Sequence, residues 1–157
     1  EVNKPVTGVA MKDNEAIISM IGVPNTPGIA GDIFSELAEN GINVDMIIQN
    51  VLEKTDSNNI SFSIAEEDLN QTKKITESIA KKLNCKLLTD TSIAKISCVG
   101  IGMISKPGTA SKMFSALGSK NINILRITTS EIKISCAIEQ KDAQKALEIL
   151  HKEFELD

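Results

Sequence analysis

Gly22-Val23-Pro24-Asn25-Thr26-Pro27-Gly28-Ile29-Ala30 joins two stretches of different periodicity. Before it runs the apolar segment Ala16-Ile17-Ile18-Ser19-Met20-Ile21, which reads as a buried strand. After it, Ile29, Ile33 and Leu37 recur at helical spacing with Ala30, Phe34 and Ala38 beside them, the apolar face of an amphipathic helix. Pro27 is expected in the first helical turn, where its missing N–H costs nothing. Such a loop offers unpaired backbone donors at the positive end of a helix dipole, which suits a small carboxylate.

The same phrase returns later in the chain. Lys95-Ile96-Ser97-Cys98-Val99-Gly100-Ile101-Gly102-Met103-Ile104-Ser105-Lys106-Pro107-Gly108 leads into Thr109-Ala110-Ser111-Lys112-Met113-Phe114-Ser115-Ala116-Leu117. Pro27-Gly28 matches Pro107-Gly108, Phe34-Ser35 matches Phe114-Ser115, and Ile42-Asn43 matches Ile122-Asn123, all at one spacing. Ile64 and Asp68 then match Ile138 and Asp142 at a shorter spacing, so one connection is shorter in the second copy. The chain reads as a tandem duplication.

Taken in order, Val6–Met11 is a short strand candidate and Lys12–Glu15 a turn. Strand Ala16–Val23, a helix to about Asn40, strand Ile42–Val51, a polar loop Lys54–Asn59 and strand Ile60–Ile64 follow. Asp68 is expected to cap a helix reciprocally with Gln71, and Cys85–Leu88 to be a final strand. That is βαββαβ, the ferredoxin-like order, an α+β class. The second copy runs through strand Ala94–Ile101, helix Gly108–Lys120, strands Ile122–Thr128 and Ile132–Ile138, and helix Asp142–His151, and has no fourth strand. We expect Val6–Met11 to supply it, so that domain 16–90 is inserted into a domain made of 94–157 and strand 6–11.

Composition narrows the function. The 157 residues suit two domains of roughly 70 residues each. Aromatic residues are 3% and the net charge is −4, without the basic stripe and stacking aromatics that a nucleic-acid partner requires. No apolar stretch approaches the ~18 residues of a membrane span. Cys85, Cys98 and Cys136 lack metal-ligand spacing and His151 is the only histidine, so neither a metal site nor a catalytic residue is expected, and the compartment reads as cytoplasmic. The chain begins Glu1-Val2-Asn3, without an initiator methionine, and reads as a piece of a longer or processed polypeptide. Gly100-Ile101-Gly102 resembles a dinucleotide loop only weakly. Ser105 stands where the third glycine belongs, and Arg126 where an acidic residue is required. A strand end at which another backbone comes close is the better reading of these glycines.

Two polar clusters remain. Gln49-Asn50 ends the strand of the first copy, and Thr128-Thr129-Ser130-Glu131 stands at the matching place in the second. Ferredoxin-like order puts both beside the proline-glycine loops, so helix donors would meet side chains able to take an ammonium group, a setting for a zwitterionic amino acid. The alternative is that Gln49-Asn50 only opens a turn.

G-V-P-N-T-P-G-I-A, I-N-V-D-M-I-I-Q-N-V, G-I-G-M-I-S-K-P-G and I-T-T-S-E-I-K-I-S, in this order, resemble the tandem ACT domains of aspartate kinase, the class whose regulatory part also occurs as a separate β subunit. The resemblance covers essentially the whole chain. It implies two ferredoxin-like ACT domains in tandem that bind end-product lysine, threonine or both at ACT–ACT interfaces and inhibit aspartate phosphorylation. It implies a homodimer through the ACT domains and a kinase domain or α subunit as partner, with ATP and magnesium belonging to that absent kinase domain and no cofactor on this chain. The implied effector pocket of the first domain comprises Val23, Asn25, Pro27, Gly28, Ile29, Ala30 and Gln49, with Asp45 and Asn50 nearby. Its counterpart would use Met103, Ser105, Gly108, Ala110, Ile124, Ser130 and Glu131. The family usually carries Asp at Asn25, often Ser at Leu52, and in some members Thr at Ala110; these departures bear on affinity and selectivity. Rival readings are an ACT subunit of another amino-acid enzyme, such as an acetolactate synthase small subunit, a stand-alone enzyme on the same scaffold, or a dimerisation module without ligand.

Overall fold

The computed structural model describes residues 4–51, 56–101, 103 and 107–156. Its strands are β1 (Gly8–Pro24), β2 (Ile47–Val51), β3 (Ser57–Ala65), β4 (Lys86–Val99), β5 (Ile124–Thr129) and β6 (Lys133–Glu139). Its helices are α1 (Ile29–Glu39), α2 (Leu69–Leu83), α3 (Thr109–Ser119) and α4 (Ala143–Glu153). The chain divides into two compact units, Asn14–Thr91 and Glu1–Asp13 with Ser92–Asp157.

In the unit Asn14–Thr91 the strand order is β2-β3-β1-β4, as in a ferredoxin-like sheet. β3 is antiparallel to β1, with Ile18 opposite Phe62, and to β2, with Gln49 opposite Ile60. Alternate residues of β3 face the helices, so Ile60, Phe62 and Ile64 share a core with Ile18, Met20, Ile33, Leu37 and Ile79. Phe34 meets Phe62 edge-on, with ring centroids 5.5 Å apart. Burying one such aliphatic side chain contributes about 1.5–3 kcal/mol, so a core nearly without aromatics holds if it has enough members. The opposite face carries the Ser19–Ser61 hydroxyl pair at 2.8 Å.

In the other unit the order is β1-β4-β6-β5. Ile96, Cys98, Met113, Leu117, Ile134, Cys136, Ile138 and Leu150 form its core, and Val6 belongs to the same cluster. Val9 and Met11 pack against it. The Thr7 amide donates to the Val99 carbonyl at 2.8 Å, bringing the segment before β1 beside the end of β4. Ser97 and Ser135 repeat the hydroxyl pair at 2.7 Å.

Four expectations are corrected. Lys12–Glu15 is not a turn: β1 runs through it, and Asn14 alone takes a left-handed conformation, φ 53°. Likewise Cys85–Leu88 and Ala94–Ile101 are not separate strands; β4 continues across the gap with Ser92 at φ 58°. Polar composition signalled a reversal, whereas a single left-handed residue only kinks an extended chain. Pro27 lies before α1 rather than in its first turn, because Gly28 is the cap. Asp68 makes no side-chain capping bond: it closes a short 3-10 turn, Glu66–Asp68, while Gln71 donates instead to the Asn40 carbonyl at the end of α1, at 3.2 Å.

Candidate functional site

Each unit carries a cavity where a strand passes through a loop into a helix. In the first, β1 ends with a bulge at Gly22, φ 82°, which the register with β3 skips and whose amide donates to Asn59 Oδ1 at 3.2 Å. Gly28 then caps α1 at φ 97°, a conformation that only glycine takes cheaply. The Asp32 amide closes the first helical bond onto the Gly28 carbonyl at 3.0 Å, and the Ile29 amide reaches the Thr26 carbonyl at 3.3 Å. Ala30 and Gly31 therefore present first-turn amides that the helix cannot pair internally.

Beneath this loop lies a cavity of about 420 Å³. The expected residues Val23, Asn25, Pro27, Gly28, Ile29, Ala30 and Gln49 all line it. Pro24, Thr26, Asn58 and Ile60 complete the wall, and none of these four was expected. Gln49 belongs because its partner Ile60 faces the helices, and residues directly opposite in an antiparallel pair share a face. Asn50, opposite Asn59, consequently points to the other face. Asp45 lies further along the sheet, its amide on the Ser63 carbonyl at 2.9 Å, and does not line the cavity.

The second unit repeats the arrangement. Gly108 caps α3 at φ 92°, and the Lys112 amide bonds its carbonyl at 2.9 Å. A cavity of about 250 Å³ is lined by the expected Met103, Gly108, Ala110, Ser130 and Glu131, together with Pro107, Thr109, Thr129 and Ile134. The turn that presents Ser130 and Glu131 is closed by the Ser130 amide on the Lys133 carbonyl at 2.8 Å. Ile124 is not part of it: it sits opposite Ile138 at the other end of β5 and packs on the core. Ser105 lies outside the described residues, as do Leu52 and Gly102.

The chemistry of these cavities is that of binding. Amides at a helix N-terminus hold a carboxylate, and amide or carboxylate oxygens opposite can take an ammonium group. Among the described residues no cluster of His, Cys, Asp and Glu could hold a metal ion. Burial pushes the Cys98 and Cys136 thiols up to about 12, with Cys136 adding to the effect on Cys98, so neither is a nucleophile at neutral pH. Gly100 takes no part in a nucleotide loop. A Cβ placed on it would lie 2.0 Å from the Pro5 carbonyl oxygen, so the approaching backbone is that of Pro5–Val6.

Comparison with known proteins agrees with this picture. Two family models, each described as ACT domain, match residues 16–84 and 96–154. The regulatory subunit of aspartate kinase from Thermus thermophilus, in its ligand-free form, superposes with a TM-score of 0.87 at 38% identity, over 96% of this chain and 99% of that one. A crystal structure of aspartokinase alpha and beta subunits gives 0.86 at 39% identity, over 96% and 99%. The aspartokinase of Bacillus sp. strain MGA3 is 42% identical over 157 residues, 99% of this chain but 38% of its own length. The chain thus spans well under half of the curated aspartokinases that it matches. No helix among the described residues is long and apolar enough to cross a membrane.

Proposed function

The chain belongs to the ACT-domain family, in the form of the regulatory part of an aspartate kinase, and from this we propose that it senses end-product amino acids for feedback inhibition. The effectors are lysine, threonine or both, and what they restrain is ATP-dependent phosphorylation of aspartate by a kinase domain or α subunit, on the route to lysine, threonine and methionine. The observation that carries this reading is the repeated cavity, which in each unit joins a glycine-capped helix end to polar residues of a neighbouring strand. The solved pair of alpha and beta subunits supports a catalytic partner.

We read domain 16–90 as inserted into a domain formed by 94–157 with strand 6–11. The presence of Val6, Val9 and Met11 at the core of the latter supports this. The edge strands β2 and β5 expose Ile47, Val51 and Ile127, which supports pairing between the ACT domains of two chains in a cytoplasmic homodimer. Regulation then requires an effector that binds one arrangement of that interface more tightly than another. We assign ATP and magnesium to the catalytic partner, with no cofactor on this chain.

Thermal unfolding with lysine, threonine, both, and methionine or leucine as controls tests the proposal. A ligand at 100 times its Kd adds about 2.7 kcal/mol when it binds only the folded state. A shift with lysine or threonine is expected. A shift with leucine instead would move the chain to another ACT-regulated enzyme, and no shift with any would leave only a dimerisation role.

A further inference from the structure

The wall of the first cavity contains a polar group that folding alone does not account for. Asn58 is 4% exposed. It lies in phase with Ile60, Phe62 and Ile64, so it occupies the polar end of the row of β3 that faces the helices. Its Nδ2 donates to Asn25 Oδ1 at 3.2 Å, whereas its own Oδ1 is buried without a hydrogen-bond partner. An orphaned buried acceptor destabilises a fold, and a valine here would avoid that cost.

We propose that Asn58 is the specificity-determining residue of the first cavity, its Oδ1 accepting a hydrogen bond from the ammonium or hydroxyl group of a bound amino acid whose side chain is uncharged. The inference rests on the reading of these cavities as amino-acid sites. The α1 terminus already supplies donors for a carboxylate, so an acceptor is the element needed to complete the complement of a zwitterion. Among the described residues, none that lines this cavity is charged, and against them a charged ligand side chain would be desolvated without a counter-ion. The second cavity is different. The repeat places Ile132 at the position of Asn58, and Glu131 lines its wall. The two sites therefore discriminate ligands by different means.

Amide NMR separates the sites, with Gly28 reporting the first cavity and Gly108 the second, as threonine, lysine or aspartate is titrated into this chain. In the native protein threonine should saturate the Gly28 response, while lysine and aspartate move it at least tenfold more weakly. Asn58→Val should weaken threonine at Gly28 at least tenfold while the ligand-free melting temperature holds or rises. Asn58→Asp should shift the preference at Gly28 towards lysine. Asn58→Thr, which keeps a small polar side chain, serves if the valine variant does not fold, and should retain part of the threonine response. Equal responses to lysine and threonine at Gly28 in the native chain overturn the proposal. So does a threonine response that survives Asn58→Val, or a lower ligand-free melting temperature with the ligand shift unchanged, which marks a structural role. Silence of Gly28 and Gly108 towards every amino acid overturns the amino-acid reading itself, whereas silence of Gly28 alone overturns only the role of Asn58.

Discussion

Gly100 and Gly118 are both glycines of the second unit, and only one of them is there for lack of room. At Gly100 a Cβ would meet the Pro5 carbonyl oxygen at 2.0 Å and the Val6 Cα at 3.0 Å, all backbone atoms that cannot swing aside. At Gly118, inside α3, a Cβ would meet nothing within 4 Å. We expect Gly100→Ala to lose about 1–3 kcal/mol, as overpacked sites do, and Gly118→Ala to gain roughly 0.5–1 kcal/mol by restricting the unfolded chain. Urea unfolding of the two variants checks both signs. Equal effects would mean that the Pro5–Val6 backbone yields easily. The crowding at Gly100 was legible in outline, since a glycine at a strand end implies an approaching backbone. Which backbone approaches was not, because the partner lies far away in sequence.

At the scale of elements, the adjacent strands β4 and β6 place two thiols, Cys98 and Cys136, in one aliphatic core. Burial, and for Cys98 also its neighbour Cys136, raises both from an ordinary 9.0 to about 12. A thiol carries charge only when deprotonated, so a raised folded value favours the native state fully below about pH 9. That contribution is lost as pH climbs from 9 towards 12. Unfolding free energy should fall across this window, by up to roughly 1.4 kcal/mol per pH unit for each thiol. The slope should flatten in Cys98→Ala/Cys136→Ala, with the lysines common to both proteins cancelling in the comparison. A slope identical in the variant would contradict the burial. The strands of the second unit were legible as a second copy of the first, and the helices from their apolar faces. The lengths of β1 and β4 were not, because Lys12–Glu15 and Asp90–Ser92 have the composition of turns and the conformation of kinks. Nor was Asn58 recognised within the polar stretch before Ile60, although it keeps the period of the buried row that follows. Phase was the available signal, and composition concealed it.

At the scale of the whole molecule, Val6 ties the start of the described chain to the unit that ends it. Truncating it to alanine should cost roughly 1–3 kcal/mol, the lost methyl groups plus the space they leave. Hydrogen exchange should localise the loss, with amides in β4 after Ser92, β6 and α3 exchanging faster and those of β3 and α1 little changed. Uniform acceleration across both units would show that they unfold as one. The same tie has a consequence in time. During synthesis Val6, Val9 and Met11 emerge before the rest of both units, yet the residues that cover them begin beyond Ser92. At roughly 5–20 residues per second the ribosome leaves this apolar segment waiting for several seconds. Meanwhile the residues between Asn14 and Thr91 have everything needed to complete their own sheet. This strand is thus made before both units and satisfied only with the later one, and nascent chains stalled before the second unit would expose it to one another.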